Sequence, residues 1–567
     1  MTTECNPEQL EFHALGRREV IGRFDGGRIT SDGGGLLLRE VDKRLGLLDR
    51  LATCFTDYRN PNSIEHSVQA LVAQRAYGLA LGYEDLNDHD VLRKDSVLAL
   101  LVGKQDLTGD ARVREQDRGH PLAGSSTLNR LELSTPETAP GDRYKKIAAD
   151  PDALDRLLVD VFLESQRTPP REIWLDLDAT DDPLHGHQEG RFFHGYYRCY
   201  CYLPLYIFCG EHLLCARLRS SDQDGAAGSV DELERIITQI RQCWPKTRIA
   251  IRGDAGFCRE AIMAWCESHN VRYVLGLPRN KRLQRALGKA MEEARAAHER
   301  TGRPARRFRD FRYKTRKSWS RERRVVGKAE YLPNKANPRF VVTNLTTRQA
   351  SAKRLYETLY CARGDMENRI KEQQLGLFAD RTSTAALRAN QLRLYFSSFA
   401  YVLLQGLRRL GLAGTAHAKA QSTTIRVKLL KIGARIRITV RKVWLSFSEA
   451  YPYADDIAQI LANLNRYPAW KPPGRTRCEG PTASRRSTST ALATRSRPRT
   501  CCVNGFGPVL NGSFPLCSLF VSKPVLLEPQ FKQRDLPNFR TAQWCDVCFW
   551  VPHQALEVVI AKQSTLT

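Results

Sequence analysis

Apolar positions recur at helical spacing through residues 63–103, where Ser63 precedes a run carrying Val68, Leu71, Val72 and Ala76. Residues 1–60 read as short strands and turns, because Phe24-Asp-Gly-Gly and Ser31-Asp-Gly-Gly-Gly are turn chemistry. Residues 104–145 are polar and loop-rich. From Ile173 the period shortens. Ile173-Trp-Leu-Asp-Leu-Asp-Ala-Thr is an apolar run with acids on alternate positions, and 195–208 reads as one or two strands around Pro204, with another from Leu213 to Leu218. Ser229 with Glu232 is a capping-box pattern opening a helix to Cys243. A strand at 248–254, a helix at 258–269 and a strand at 271–277 follow. Strands first, then helix, strand, helix and strand, predict a mixed α/β sheet. A further strand lies at 339–345, a helix at 352–375, and more helices through 384–470.

Three regions divide on this pattern: a largely helical N-terminal region (1–150), an α/β body (165–278 and 338–470), and between its parts a basic segment (279–337). After Pro472 the character breaks. Residues 475–500 are Arg, Ser, Thr and Pro with little apolar content, which predicts disorder, and 471–567 reads as an extension unrelated to the preceding fold.

Length and composition narrow the function. A chain of 567 residues is expected to hold roughly three or four domains of about 150 residues. Lys and Arg number 88 against 62 Asp and Glu, a net charge of +26, which favours a nucleic-acid partner over other polyanions. No run of about 18 apolar residues exists to span a membrane, and the first residues lack the apolar core of a signal peptide. A cytoplasmic protein is therefore expected. The 16 cysteines are scattered and read as reduced thiols. Cys545-Asp-Val-Cys548 lacks a second pair at zinc-finger spacing, and His185-Gly-His187 with His194 reads as a polar loop. The charge peaks in 279–328, where Arg316, Lys317, Arg321 and Arg323 surround Trp319, making these residues DNA-binding candidates.

Acids occur where a sheet would gather them. Asp176 and Asp178 share one strand face, and Asp254 ends another strand, where open α/β sheets place ligands. Tyr360, Arg363, Glu367 and Lys371 recur at spacings of three and four, hence on one helix face. Two Asp and a Glu offer hard oxygen ligands suited to Mg²⁺, and two such ions can activate a nucleophile and stabilise a phosphodiester's leaving oxygen.

These segments together resemble bacterial insertion-sequence transposases of the DDE superfamily, in the group-1 DDE domain class and the insertion-sequence family thirteen-eighty. The resemblance covers roughly residues 15–470. It rests on RFDGGRITSDGGGLLLREVD (23–42), IEHSVQALVAQRAYGLALGYEDLNDHDVLR (64–93), STLNRLE (126–132), WLDLDATDDPLHGHQEG (174–190), IRGDAGF (251–257) and the Glu367 helix. It implies a ribonuclease H-like core with a β-rich basic insertion, and cut-and-paste transposition by cleavage and strand transfer. Its first acid is the Asp of Asp-x-Thr, matched by Asp178, with Asp176 as rival; its second is matched by Asp254. Its third is the Glu of a Tyr-x₂-Arg-x₃-Glu-x₆-Lys helix: Tyr360, Arg363 and Glu367 fit, but Gln374 stands at the Lys position, with Lys371 one turn earlier. The implied cofactor is two Mg²⁺ ions, replaceable by Mn²⁺, on Asp178, Asp254 and Glu367. Arg363 and Lys371 are implied to orient DNA phosphates or Glu367, Tyr360 joins them as a DNA-binding candidate, and Trp319 is implied to stack on an unpaired base or pack internally. The implied partners are terminal inverted repeats, target DNA and a second copy in a DNA-assembled homodimer, in a bacterial, nucleoid-associated setting. A metal-dependent nuclease without strand transfer, or an inactive DNA-binding relic, accounts for the same residues.

Overall fold

The computed structural model describes residues 9–471, apart from 134–138, 140, 144 and 334. The predicted disorder of the tail and the Cys545/Cys548 pair lie outside these residues.

A nine-stranded mixed sheet organises the body. Its strands are β1 (Glu172–Ala179), β2 (Leu205–Cys209), β3 (His212–Arg217), β4 (Arg248–Gly253), β5 (Arg272–Leu277), β6 (Ala305–Tyr313), β7 (Arg323–Leu332), β8 (Lys335–Ala336) and β9 (Arg339–Thr343). Their order is β3-β2-β1-β4-β5-β9-β7-β6, with β8 paired to β7. The first three run antiparallel, whereas β1, β4 and β5 are parallel. Parallel neighbours need long crossovers, supplied here by helices Ser229–Cys243 and Glu260–Ser268. Strand alternation works as the pattern implied: Leu175 and Leu177 are buried in the core on one side of β1, leaving Asp176 and Asp178 for the other.

Several elements differ from the sequence reading. The first buried helix is Val68–Leu81, capped by Ser67 rather than Ser63, the Ser67 hydroxyl accepting from the Ala70 amide. Gly228, at φ 70°, precedes helix Ser229–Cys243, so Ser229 is its first residue and not its cap. Helices Leu36–Leu45 and Leu47–Thr53 occupy part of the region read as strands and turns. The basic segment expected to be β-rich begins with a 21-residue helix, Lys281–Thr301, whose Leu283, Leu287, Ala290, Ala294 and Ala297 are buried. Its β6–β7 hairpin is hydrogen-bonded through β9 into the main sheet.

The N-terminal helices do not stand apart as a separate domain. Leu71, Val72 and Ala76 share one core with Phe399, Leu403 and Leu407 of helix Leu387–Leu410. Buried Glu132 accepts from both Arg75 and Arg393 at 2.7 Å, tying the two regions electrostatically. A second tie explains the glycine run. The Gly33 amide donates to the Ile432 carbonyl at 2.9 Å, and Asp32 receives Lys431 at 2.7 Å. A Cβ on Gly34 would lie 1.9 Å from the Leu429 carbonyl oxygen. Hence Gly34→Ala should destabilise the protein by about 2 kcal/mol or more, the cost of overpacking a closed contact. Gly288→Ala, in open space on helix Lys281–Thr301, should stabilise by about 0.5–1 kcal/mol. Denaturant unfolding of the two variants distinguishes these outcomes; equal stabilities would refute the account of the Gly34 contact.

Candidate functional site

Parallel pairing puts two acids at one sheet edge. In the β1–β4 register Arg252 faces Asp176 and Gly253 faces Leu177, so Asp178 and Asp254 both follow the last paired residues. Asp254 opens a single tight turn, Ala255–Phe257, and its Oδ1 accepts from the Gly256 amide at 2.8 Å. The backbone of β5 closes against this turn. A Cβ on Gly276 would sit 2.7 Å from the Tyr360 hydroxyl and 2.8 Å from the Ala255 nitrogen, so only glycine fits.

The third element arrives as a broken helix. Ala352–Arg354 is α-helical, Leu355–Tyr360 is a π-turn, Cys361–Arg363 is 3₁₀, and Gly364–Leu377 is α-helical again. Changes of helical pitch of this kind recur at functional sites. Here they deliver Arg363 into the sheet edge. Its guanidinium donates to Asp178 Oδ2 at 3.0 Å and to Glu367 Oε1 at 2.9 Å. Burial pushes the Asp178 carboxyl up to about 7, with Arg363 opposing the shift and the charges of Asp254 and Glu367 reinforcing it. Burial works against the Arg363 charge, yet Asp178, Tyr360 and Glu367 hold its pKa above the usual value. Burial also raises Tyr360. The three acids thus share one electrostatic neighbourhood, with a cation between two of them.

Asp176, the rival first acid, is committed elsewhere. It is 4% exposed and accepts both arms of the Arg252 guanidinium, at 2.5 and 2.7 Å. Arg252 also donates to the Leu359 carbonyl at 2.9 Å, bracing the broken helix. Sequence reading missed this clamp, although Arg252 stands two residues before Asp254 and opposite Asp176.

The departure at Gln374 has a partner too. Its amide donates to Asp182 Oδ1 at 2.8 Å and to the Asp181 carbonyl at 3.1 Å. Asp182 is fully buried, its other oxygen has no hydrogen-bond partner, and burial pushes its carboxyl up to about 8 against the lowering effect of Gln374. Lys371 is exposed.

The basic segment is only partly available to a ligand. Arg316, Lys317 and Arg321 are exposed at the β6–β7 turn, with Arg321 bonded to Glu267 at 2.9 Å. Arg323 is 2% exposed and held by Glu260 and Glu267 at 2.6 and 2.8 Å. Trp319 is buried, edge-on to Tyr313 at 5.7 Å, with the Arg323 guanidinium over its ring. Here Trp319 packs internally, the alternative to base stacking, and the Arg323 guanidinium is paired with Glu260 and Glu267. Among the described residues, no group of three or more His, Cys, Asp and Glu side chains stands as a metal site, and His185, His187 and His194 form none.

The transposase DDE domain group 1 family matches residues 12–469. The chain belongs to that family. The match spans nearly all the described structure. No curated protein matches the chain. Among solved structures it is similar to a piggyBac transposase synaptic complex with hairpin DNA, at 11% identity and a TM-score of 0.34, over 71% of this chain and 80% of that one. No helix among the described residues is long and apolar enough to cross a membrane.

The buried Asp182 of this family member should leave a pH signature. Its folded pKa lies above the ordinary carboxylate value, so its contribution to stability is complete below about pH 4 and is lost as pH rises towards 8. Asp182→Asn should flatten that part of the profile, making the variant gain stability relative to wild type between pH 5 and pH 8 in thermal unfolding. Parallel profiles for the two proteins would show that Asp182 is not the buried neutral acid.

Proposed function

We propose that the chain is a DNA transposase that cuts phosphodiesters at the ends of an insertion sequence and joins them to target DNA. The observation carrying this reading is the gathering of Asp178, Asp254 and Glu367 around Arg363, at the carboxyl edge of parallel strands, in a member of a transposase family. Three antiparallel strands followed by two parallel ones, with the first acid on the central strand β1, support a ribonuclease H-like core. The motif matches favour the thirteen-eighty family of insertion sequences, with terminal inverted repeats as the bound DNA and two copies of the chain joining two ends.

In donor type Asp178, Asp254 and Glu367 suit a divalent cation, being hard carboxylates in one electrostatic neighbourhood, although they do not stand together as a ready metal site and Arg363 lies between Asp178 and Glu367. Asp178, Asp254 and Glu367 would hold it. When bound, Mg²⁺ or Mn²⁺ would supply activation of the attacking hydroxyl and stabilisation of the leaving oxygen. The chain's own residues do the rest. The Gly256 amide fixes the Asp254 carboxylate. Arg363 holds Asp178 and Glu367, and a guanidinium pairs as well with phosphate as with carboxylate, so a phosphodiester can take over one of its arms. Exposed Arg316, Lys317 and Lys371 supply charge for the DNA backbone.

Asp178→Asn, Asp254→Asn and Glu367→Gln should each lower strand cleavage by at least about a thousandfold, some 4 kcal/mol of barrier, while end binding persists. Asp176→Asn should behave differently, since it leaves the buried Arg252 charge poorly paired. It should lose about 3 kcal/mol of stability, yet the folded fraction should still cleave. Cleavage retained in Asp178→Asn and abolished in folded Asp176→Asn would exchange the two roles. Pre-cleaved ends supplied with target DNA test strand transfer separately, and failure there with intact cleavage would make the protein a nuclease. DNA affinity should fall steeply with salt, each neutralised phosphate contributing about −0.9 to the log–log slope; a flat response would rule out backbone-dominated binding.

A further inference from the structure

Immediately after Asp178 the chain builds a small three-stranded sheet from Asp182–Pro183, Phe192–His194 and Cys199–Tyr202. Its end away from the turn is firmly seated. Cys201 and Tyr202 are fully buried, the Tyr202 hydroxyl donates to the Glu189 carbonyl at 2.6 Å, and the Ser221 hydroxyl donates to the Phe192 carbonyl at 2.9 Å. The part nearer the turn is left open. Phe193 and Tyr200 are cross-strand partners with rings 5.5 Å apart, edge to face, and they are 57% and 44% exposed. The Arg191 guanidinium lies 3.8 Å above the Tyr200 ring. At the turn Tyr196 is 83% exposed and meets the Tyr197 ring edge-on at 5.0 Å.

So many rings in water on one short hairpin call for an occupant. Two observations say which. The first is position: the Tyr197 hydroxyl reaches the Ala179 carbonyl at 3.4 Å, one residue beyond Asp178, and the ring lies within the field of Asp178 and Asp254. The second is charge: Gly190–Tyr202 contains Arg191, Arg198 and His194 and no Asp or Glu. A cationic, aromatic surface beside carboxylates suits nucleotides with free faces, because every base has a π-face and a guanidinium extends the stack.

We propose that the Phe192–Tyr202 hairpin is a stacking platform for unpaired nucleotides next to the phosphodiester being cut, with Phe193, Tyr196 and Tyr200 as the rings and Arg191 holding the backbone. This rests on the transposase reading for the identity of the ligand as DNA.

The test uses the full chain and two probes of mixed sequence, a short single strand carrying a fluorescent base analogue and a duplex. Wild type should quench the analogue. Phe193→Ala and Tyr196→Ala should each weaken single-strand binding by about 5–150-fold, the range for loss of one stacked ring, and leave duplex binding unchanged. Phe193→Tyr and Tyr196→Phe should keep the quenching, because a ring is retained. Tyr196, the most exposed, is the variant least dependent on the hairpin's own packing, and matched thermal unfolding confirms its fold. Alanine variants that quench and bind the single strand as wild type does would overturn the platform, as would equal losses on strand and duplex. The function reading fails separately: a wild type that never cleaves DNA with Mg²⁺ but shows ring-dependent quenching would sink the transposase assignment and leave the platform standing.

Discussion

The in-register parallel pairing of β1 with β4 is the constraint from which the site follows. Side chains of opposite charge, Asp176 and Arg252, face each other across it and are almost wholly buried. Burying two such ions costs several kcal/mol each unless they meet in good geometry, and removing either partner strands the other. The pair therefore penalises any slipped register of the central strands. Because that register is fixed, Asp178 and Asp254 emerge together. Because the same guanidinium also bonds to Leu359, the approach of the broken helix is set by the same interaction.

The helix itself cannot be regular and still serve. An unbroken α-helix would rotate successive residues evenly about its axis. The π-turn at Leu355–Tyr360 and the tight turn at Cys361–Arg363 change the pitch twice within nine residues. The outcome is that Tyr360 rests near Gly276 while Arg363, three residues on, spans Asp178 and Glu367. Conformational irregularity is concentrated where the carboxylates converge.

Much of this was legible in the amino-acid order, for definite reasons. Short apolar runs between Ile173 and Leu277 located β1 to β5 closely, since strands covered on both faces read as near-continuous apolar stretches. The three acids could be singled out because strand ends and one helix face position them locally. What was missed depends on contacts distant in sequence. The apolar stripe of helix Lys281–Thr301 is mostly alanine, which a dense run of Arg and Lys conceals. Helix Leu36–Leu45 follows three glycines that read as a turn, and only their contact with residues 429–434 shows why glycine is there. The burial of Trp319 and Arg323 was not legible either, because charge and aromaticity do not reveal it; Glu260 and Glu267, more than fifty residues earlier, hold the Arg323 guanidinium.

The glycine wedge carries a consequence for how the chain is made. Gly33 and Gly34 fit against Ile432 and Leu429, and Gly46 against the ring of Trp470, whose amide donates to the Lys43 carbonyl. The first helices thus wait for residues synthesised at the far end of the fold, some four hundred positions later. During synthesis the faces that meet residues 429–470 stay uncovered until those residues emerge. A nascent chain halted before residue 430 would lack the surface its own beginning requires.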